Sequence, residues 1–366
     1  MNRHAVVLAL LSAALFGIST PAAKVLLGSI DPIILAGLLY SGAGLGVAIL
    51  RRTGRSLLLA QVGAPEVPLQ RKDVPWLAGA IVAGGMIGPV LLMAGLARTD
   101  AATASLLLTL EGVATALMAW FIFHENFDRR IALGMACLVA GAAVLAWSGQ
   151  PTLSGLLGPF AIVGACAAWG LDNNLTRRVS LADPLQIVEL KGLIAGPVSL
   201  TLGILTGGIF PGLSALMLAG VVGFVGYGVS LALFVMALRH LGTARTGAYF
   251  STAPFMGTVV AVLFLREPVT LQLLTAGLLM AFGVWLHLTE DHEHEHVHES
   301  LEHSHPHVHD AHHQHGHSTD DPPGEPHTHR HRHERLVHKH PHVPDMHHTH
   351  GHVSRPTNDT TGAGAR

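Results

Sequence analysis

The sequence is short of cysteine and of charge, and each shortage argues against a class of protein. Only two of the 366 residues are cysteine, Cys137 and Cys166, and both lie within apolar runs. Two isolated thiols cannot build a disulfide framework, and no paired-cysteine spacing of the zinc-ribbon kind occurs. Charged residues make up 13% of the chain, and no G-x-x-x-x-G-K-S/T loop for nucleotide phosphates is present. We therefore expect neither a disulfide scaffold nor a nucleotide-hydrolysing protein, and no enzymatic activity is predicted.

Two unlike parts of the chain join near residue 289. Residues 1–289 hold 16 Lys/Arg and 11 Asp/Glu, and they consist otherwise mostly of Leu, Ala, Gly and Val. Residues 290–366 hold 6 Lys/Arg, 13 Asp/Glu and 23 of the 27 histidines. The formal net charge of −2 is thus a cancellation of +5 against −7, and no nucleic-acid partner is predicted.

Long apolar runs dominate the first part. A helix needs about 20 apolar residues to cross the ~30 Å of hydrocarbon in a bilayer. Ten such runs, separated by short breaks with turn or charge signals, lie at about residues 5–27, 32–50, 76–96, 101–122, 131–148, 155–176, 185–205, 212–238, 246–264 and 269–288. The sequence predicts an all-α polytopic membrane protein with ten transmembrane helices, which has the lipid bilayer as a partner.

The basic residues of the loops are distributed unevenly, and this bias predicts the orientation in the membrane. The odd-numbered loops hold only Arg98 and Arg266. The N-terminus and the even-numbered loops hold twelve basic residues, namely Arg3, Arg51, Arg52, Arg55, Arg71, Lys72, Arg129, Arg130, Arg177, Arg178, Arg239 and Arg245. We therefore expect a multi-pass protein of the cell (inner or plasma) membrane with both termini in the cytoplasm.

The two halves of the apolar part resemble each other. LFGISTPAAKVLLGSIDP aligns with AWGLDNNLTRRVSLADP when one gap is allowed, and a constant shift of 142 residues pairs Glu125 with Glu267 and Gly141 with Gly283. The first run also resembles a cleaved signal peptide, but its counterpart in the second half indicates that it is retained.

Each half holds five runs, an odd number, so the second half enters the membrane inverted with respect to the first. Inverted repeats are typical of secondary transporters, whose substrate path lies between the repeats. We predict one five-helix repeat in residues 1–148, a second in residues 149–289, and a disordered tail in residues 290–366, which lacks apolar periodicity.

These stretches resemble the EamA type of the drug/metabolite transporter superfamily over residues ~5–288. LFGISTPAAK and AWGLDNNLTR match the family's start of each half, and FIFHENFDRRIALGMACLVAGAAVL and VLFLREPVTLQLLTAGLLMAFGVWL match its Glu-containing hairpin. The resemblance implies a ten-helix exporter or exchanger of small metabolites that does not hydrolyse ATP. One position departs from the family pattern of a basic residue in the second helix of each half. Lys191 fits that pattern, but the first half has Leu39 and Tyr40 there.

Charged side chains inside the runs are the first candidates for a substrate path, since a charge near the bilayer centre costs about 2.5–3.5 kcal/mol. Glu111 lies in the middle of the fourth run, and we interpret it as a proton-coupling carboxylate or a ligand for a cationic group. The alternative is a structural salt bridge. Lys24 and Lys191 are the available countercharges, although Lys24 lies near a helix end. Lys191 and Glu189 point about 200° apart on one helix, so one faces the cavity and the other a neighbouring helix.

A polar stretch with one carboxylate and two amides extends this candidate path. Asp172, Asn173 and Asn174 form the most polar stretch within any run, and we interpret them as hydrogen-bonding groups for a polar substrate; a wet helix end is the alternative. The matching stretch of the first half contains two further candidates for the substrate path, Ser19 and Thr20, followed by the helix-breaking residue Pro21.

Prolines and aromatic residues add expectations about shape. Pro21, Pro89 and Pro254 predict helix kinks, because proline removes a backbone hydrogen bond. Tyr227 and Tyr249 are candidates for stacking on a substrate ring, with simple packing as the alternative. Glu125 and Glu267 end hairpins, and we interpret both as helix caps or loop anchors.

The tail is a candidate metal-binding segment. Neutral imidazole is a preferred ligand of Zn, Ni, Co and Cu ions, and most of its histidines follow a His-x-His spacing. The predicted ligands are His292, His294, His296, His298, His303, His305, His307, His309, His312, His313, His315, His317, His327, His329, His331, His333, His347, His348, His350 and His352. A metal buffer or sensor, a pH-sensitive polyelectrolyte and an inert low-complexity segment are the alternatives for its role.

Three functional hypotheses remain open from the sequence. The first is a secondary transporter of a small-molecule substrate, coupled to protons or to a counter-substrate, with the tail as an accessory and a homodimer among its assemblies. The second is a divalent metal exporter fed by the tail, and the third is a membrane-tethered metal buffer. Outside the tail only four histidines occur, all near the ends of runs, so the first hypothesis is favoured; they are His4, His124, His240 and His287.

Overall fold

The computed structural model describes most of the apolar part and four segments of the tail. The described residues are 3–53, 69–123, 129–147, 153–179, 183–234, 237, 249–288, 293–298, 302–307, 327–332 and 336–341. The chain divides into two compact units, Met1–Glu290 and Asp291–Arg366. The described helices belong to the first unit and the described strands to the second.

The helices of the first unit follow the ten predicted runs. Five are single segments in the order of the chain: α1 (Arg3–Leu26), α2 (Pro32–Arg52), α5 (Arg129–Ala146), α6 (Leu153–Val179) and α7 (Pro184–Leu205). Three are built from several segments: α3 (Arg71–Asp73, Val74–Ala80, Ile81–Ile87 and Gly88–Leu96), α4 (Ala101–Leu107 and Leu110–Phe123) and α8 (Leu213–Gly223 and Phe224–Val229). The last two are α9 (Ala253–Phe264) and α10 (Leu271–Leu288).

These helices have the dimensions of membrane spans. Seven stretches of the described residues are long and apolar enough to cross a bilayer: Ala5–Leu26, Pro32–Arg52, Arg71–Leu96, Ala101–Ile122, Gly155–Thr176, Leu185–Leu205 and Leu213–Phe234. Three shorter apolar helices occupy the fifth, ninth and tenth places, namely Arg130–Ala146, Ala253–Phe264 and Leu271–Leu286. Large apolar side chains such as Leu205, Phe264 and Leu278 are exposed on their outer faces, as expected of lipid contact. The predicted polytopic all-α fold is confirmed.

The contacts between helices in one half have equivalents in the other half. The pairs α2–α7 and α5–α10 each join one helix to its own counterpart. The contact of α1 with α9 corresponds to that of α6 with α4, and the contact of α3 with α6 corresponds to that of α8 with α1. This correspondence agrees with the predicted division into two five-helix repeats.

The helices at the centre of the bundle, α2 and α7, begin with the same cap and meet at glycines. Both start with Asp-Pro, and Asp31 Oδ1 and Asp183 Oδ1 each accept a bond of 2.9 Å from a backbone N–H of the first turn. Proline at the following position fits the first turn because its missing N–H would be unpaired there. A Cβ atom on Gly44 would lie 2.6 Å from the carbonyl carbon of Gly192, so the two backbones touch.

The buried apolar residues are distributed unevenly along the bundle. One large cluster extends along α5 and α10 as far as Met135 and Val284, and it joins both repeats where α1 and α3 end, at Leu26, Ile34, Leu96 and Ala261. We call this end the closed end. Toward the ends of α2 and α6, the described residues form two separate small clusters instead, Leu77, Ile81, Val179, Ile187 and Ala195 in one, and Val47, Leu185, Val188 and Ala232 in the other. We call this end the divided end.

The tail unit contains four strands of six residues, β1 (Glu293–His298), β2 (Glu302–His307), β3 (His327–Arg332) and β4 (Leu336–Pro341). β1 pairs antiparallel with β4, and β2 with β3. The His-x-His spacing has the period of two of a strand, which accounts for pairing where the sequence predicts no ordered structure. The predicted disorder of the rest of the tail concerns positions outside the described residues and stays a prediction.

Candidate functional site

Lys191 of α7 forms an ion pair with Asp172 of α6. Its Nζ donates to Asp172 Oδ1 at 2.5 Å and to Thr176 Oγ1 at 3.0 Å, and the Thr176 hydroxyl donates to the same carboxylate oxygen at 2.8 Å. Asp172 and Thr176 are one turn apart and therefore share a face of α6. The side chains of Lys191 and Asp172 are 14% and 11% exposed, so the pair lies inside the bundle.

Glu111 of α4 lies beside this pair. Asn173 Nδ2 donates to Glu111 Oε1 at 2.9 Å, and Glu111 is within Coulombic range of both Asp172 and Lys191. We name Glu111, Asp172 and Lys191 the charged cluster. Two carboxylates and one ammonium give it a net charge of −1 when all three groups are ionised.

Hydrogen bonds between α4 and α6 hold this arrangement. Asn173 Nδ2 also lies 3.2 Å from Thr115 Oγ1, and the Thr115 hydroxyl donates to the Glu111 carbonyl at 2.8 Å. Asn174 Nδ2 donates to the carbonyl oxygens of Thr115 and Gly170 at 3.1 and 2.8 Å. Asn173 thus touches the carboxylate itself, whereas Asn174 fixes the distance between the two backbones.

α4 is interrupted directly before Glu111, which differs from the single continuous run that the sequence predicts. Both the N–H and the hydroxyl of Thr109 donate to the Leu106 carbonyl, at 3.0 and 2.8 Å, and close a tight turn. Glu111 is therefore the second residue of the helical segment that follows. A carboxylate in the first turn of a helix is stabilised by the unpaired N–H groups there.

The same interruption occurs in the second repeat. Thr252 donates its N–H and its hydroxyl to the Tyr249 carbonyl at 3.1 and 2.6 Å, and α9 starts anew at the next residue. The second residue of that segment is Pro254. The break is thus a shared property of both repeats, whereas the carboxylate belongs to the first alone.

A carbonyl group of α3 also faces the charged cluster. In the π-helical segment Ile81–Ile87, the N–H of Gly88 bonds to the Ala83 carbonyl, and Pro89 has no N–H to offer. The Gly84 carbonyl accepts instead from the Tyr40 hydroxyl at 2.7 Å and from Trp169 Nε1 at 2.9 Å. A Cβ atom on Gly84 would overlap the Asp172 carboxylate, so only glycine fits here.

The equivalent π-helical segment of α8, Phe224–Val229, makes the equivalent contact with α1. A Cβ atom on Gly226 would lie 2.5 Å from the Cβ of Ser19, and the Ser19 hydroxyl donates to the Phe16 carbonyl at 2.6 Å. Ser19 occupies in the first repeat the place that Asp172 occupies in the second. Beside it, Thr20 is buried.

Aromatic rings line the side of the site that Ser19 faces. The Tyr227 ring lies 5.7 Å from the rings of both Phe16 and Tyr40, and the Phe250 ring lies 5.3 Å from Phe16 and 5.0 Å from Phe234. We name these five residues the aromatic cluster. Tyr40 joins it to the charged cluster, because its hydroxyl bonds to Gly84 beside Asp172. The rings of Phe16, Tyr40 and Tyr227 are half-buried.

The charged cluster is reached from the divided end of the bundle. Asn173 is exposed, although it lies four residues after Trp169 and seven after Cys166, both buried, and hence on the same face of α6. Because that face is turned into the bundle, the exposure of Asn173 is to an opening between helices and not to lipid. The site is therefore open on one side and closed on the other.

The profile of the EamA-like transporter family matches residues 3–147 and 156–289. The chain belongs to this family. Each half is matched separately, which agrees with the two repeats seen in the packing of the helices. An EamA-like transporter is a membrane transport protein, so the polar groups buried between its repeats are the natural place for a solute.

Two individual proteins resemble this EamA-like transporter. A protein of Methanothermobacter thermautotrophicus described as an uncharacterized transporter is 29% identical over 282 residues, which is 74% of this chain and 82% of that protein. A crystal structure of a protein superimposes with a TM-score of 0.57 at 17% identity, covering 78% of this chain and 96% of the other. The second likeness supports the fold alone.

Three predicted site residues of the transporter lie away from the charged cluster. Lys24 Nζ donates to the carbonyl oxygens of Leu96 and Thr99 at 2.7 and 2.8 Å, so it caps the end of α3. Glu189 pairs with Arg51 and Arg52 of α2 at the divided end, and it is Lys191 that faces the interior. Tyr249 forms the turn before α9, while the neighbouring Phe250 supplies the ring.

Glu267 acts as the predicted cap. Its two carboxylate oxygens accept the N–H groups of Ala101 and Ala102 at 2.7 Å each and so close the start of α4. Its counterpart Glu125 lies outside the described residues. The side chains of all the predicted tail ligands also lie outside them, and no group of three or more His, Cys, Asp or Glu side chains suited to a metal occurs in the described part of the chain.

Four residues of the candidate site were not predicted from the sequence. Gly84, Trp169, Phe16 and Phe250 were not predicted as site residues, because apolar and glycine residues are common in every run. One signal existed for Gly84. Gly84 precedes Pro89 by five residues. In a π-helix a carbonyl accepts from the N–H five residues later, and because proline has no N–H, the Gly84 carbonyl is left without a donor from its own helix.

Proposed function

We propose that this EamA-like transporter is a secondary active transporter that exports or exchanges a small polar or amphipathic metabolite. The observation that carries the proposal is the charged cluster, which is buried between the repeats and open toward the divided end. Ionisable groups inside a membrane bundle are costly, and they commonly mark the path of a solute or a coupling ion. Glu111 is the group we assign to proton or counter-substrate coupling.

The repeats supply the conformational change. Two halves of the same fold in opposite orientations can exchange their conformations, and the exchange closes the divided end while it opens the closed end. The proposal places both termini and the divided end at the cytoplasm of the cell membrane. This orientation rests on the basic residues of the loops at that end, including Arg51 and Arg52.

The tail is proposed as an accessory segment that binds transition-metal ions such as Zn, Ni, Co or Cu. Its support is compositional, since imidazole is a preferred ligand of these metals. We assign the metal to the tail and an organic solute to the helices, where Glu111, Asp172 and Lys191 offer partners for a polar molecule.

Transport by reconstituted vesicles tests this proposal. The full-length chain and a 1–289 variant are compared in uptake and efflux of a panel of labelled small metabolites, with and without a proton gradient and with and without Zn. We expect gradient-dependent flux of at least one organic solute in both proteins. Asp100→Asn, which changes an exposed carboxylate at the start of α4, is the matched control for Glu111→Gln.

Two results would contradict the proposal. Flux of the metal itself, lost on removal of the tail, would establish the metal exporter instead. Organic flux that is equal in wild type and Glu111→Gln under the same proton gradient would remove the charged cluster from the mechanism. Reporter fusions that place the C-terminus outside the cytoplasm would overturn the orientation alone.

A further inference from the structure

We infer that the site takes a small amphipathic amine, with the cationic nitrogen at Glu111 and the apolar or aromatic part on the aromatic cluster. This inference rests on the proposed transport function and names its substrate class. It follows from the charge balance of the charged cluster, from the position of the rings and from the partners that Lys191 already has.

The charge balance favours a cation. Lys191 is bonded to Asp172 and to Thr176, so one ammonium and one carboxylate neutralise each other within the site. Glu111 then remains as the excess carboxylate, and its described side-chain partner is the neutral amide of Asn173. A bound ammonium would bring the net charge of the cluster from −1 to zero.

The same contacts disfavour an anion. A carboxylate or phosphate ligand would have to take Lys191 away from Asp172, and it would add a third negative group close to Glu111. Two of the three N–H donors of Lys191 are already used, and the pair is largely buried. A buried ion pair is strongly destabilised when one partner loses the other. A zwitterion would meet the same obstacle at its acidic end.

The rings supply the second half of the site. The Tyr40 hydroxyl donates to the Gly84 carbonyl, and Gly84 lies against the Asp172 carboxylate; the Tyr40 ring is 5.7 Å from that of Tyr227. A ligand that reaches from Glu111 past Tyr40 therefore meets the rings of Tyr227 and Phe16, which are half-buried. Aromatic faces attract both apolar groups and cations, which suits an amine that carries an apolar or aromatic group.

The geometry also explains why one side of the site is charged. The places equivalent to Lys191, Asp172 and Glu111 are taken by Leu39 and Ser19 of the first repeat and by Pro254 of the second, none of which is charged. A pseudo-symmetric pocket with one charged and one apolar wall recognises a molecule with one charged and one apolar end.

Equilibrium binding to the purified full-length protein tests the inference. Three probes are titrated by calorimetry at pH 7, with empty micelles as the blank: 2-phenylethylamine (cation with a ring), ethylamine (cation alone) and 3-phenylpropionate (anion with a ring). We expect 2-phenylethylamine to bind roughly tenfold or more tightly than either of the others. Equal binding of 3-phenylpropionate and 2-phenylethylamine, or tighter binding of the anion, would overturn the inference without any variant.

Variants then locate the two ends of the ligand. Glu111→Gln keeps an oxygen for the Asn173 bond and removes the charge, and it should weaken 2-phenylethylamine binding by about tenfold or more. Asp100→Asn should leave it within about twofold. Tyr227→Leu should weaken 2-phenylethylamine by roughly fivefold and leave ethylamine unchanged. Unchanged affinity in folded, monodisperse Glu111→Gln would refute the assignment of the nitrogen.

The outcomes separate the inference from the proposed function. Binding of 2-phenylethylamine with no flux of any solute in vesicles would sink the transport function and keep the amine site. Flux of other metabolites with no amine binding would keep the function and sink the amine site.

Discussion

The two repeats of this EamA-like transporter share their helix breaks, their π-helical segments and their Asp-Pro caps, yet they differ in what they place at the centre. On one side α6, α7 and α4 contribute Asp172, Lys191 and Glu111. On the other side the equivalent positions are Ser19, Leu39 and Pro254. In the proposed mechanism the shared backbone allows two interchangeable conformations, and the unshared side chains give the candidate site a defined polarity. In this proposal the similarity of the two repeats allows the conformational change, and the difference between their side chains determines which solute is bound.

The largest expected effect comes from breaking the ion pair that only the second repeat has. Lys191→Met leaves the Asp172 carboxylate buried without its cation, and we expect a loss of about 3–5 kcal/mol in the free energy of unfolding. The double variant Asp172→Ser with Lys191→Leu copies the first repeat and should recover most of that stability while transport stays absent. A double-mutant cycle of unfolding in mild detergent measures both; equal losses in single and double variants would contradict the comparison.

A smaller effect is expected where glycine allows α3 and α6 to approach. Gly84→Ala places a methyl group against the Asp172 carboxylate, and we expect a cost of about 1–3 kcal/mol. Gly226→Ala meets the smaller, uncharged Ser19 and should cost less. Thermal unfolding of the two variants side by side tests this, and a larger loss in Gly226→Ala would be the contrary result.

The hydrogen bond of Trp169 to the Gly84 carbonyl should have a more modest value. Trp169→Phe copies Phe16 of the first repeat and removes one donor, but the Tyr40 hydroxyl still satisfies the carbonyl at 2.7 Å. We expect a loss of about 1 kcal/mol in the free energy of unfolding. Trp169→Phe combined with Tyr40→Phe leaves the carbonyl unpaired and should cost more than the sum of the two single changes.

The smallest effect on stability is expected from Glu111→Pro, which copies Pro254. Proline is tolerated in the first turn of a helix, and Glu111 is the second residue after the break in α4. We expect less than about 1 kcal/mol of destabilisation together with loss of transport. The matched control is proline two turns further along, at Met118, which should unfold the helix. Similar losses in both variants would show that the break is not equivalent to that in α9.

Much of this fold follows from the sequence, because ten apolar runs and a duplicated Asp-Pro start have direct physical meaning. The Glu267 cap was predicted for the same reason. The partner of Lys191 was not predictable, since periodicity gives a 200° separation from Glu189 but not which of the two faces inward. Lys24 was assigned to the substrate path because its charge is visible in the sequence, whereas its bonds to the α3 carbonyls depend on how two helices meet. The aromatic cluster combines residues from three helices and from the segment before α9, and it leaves no local pattern in the sequence.

The π-helical segments of α3 and α8 have a consequence for how the transporter changes conformation. Each contains one more residue per turn than its surroundings, in the middle of a span and beside Asp172 or Ser19. The helical parts before and after each π-helical segment can therefore rotate relative to each other while the backbone hydrogen bonds within each part stay intact. We expect the conformational change to be confined to these two π-helical segments, so that most of the bundle moves as rigid bodies.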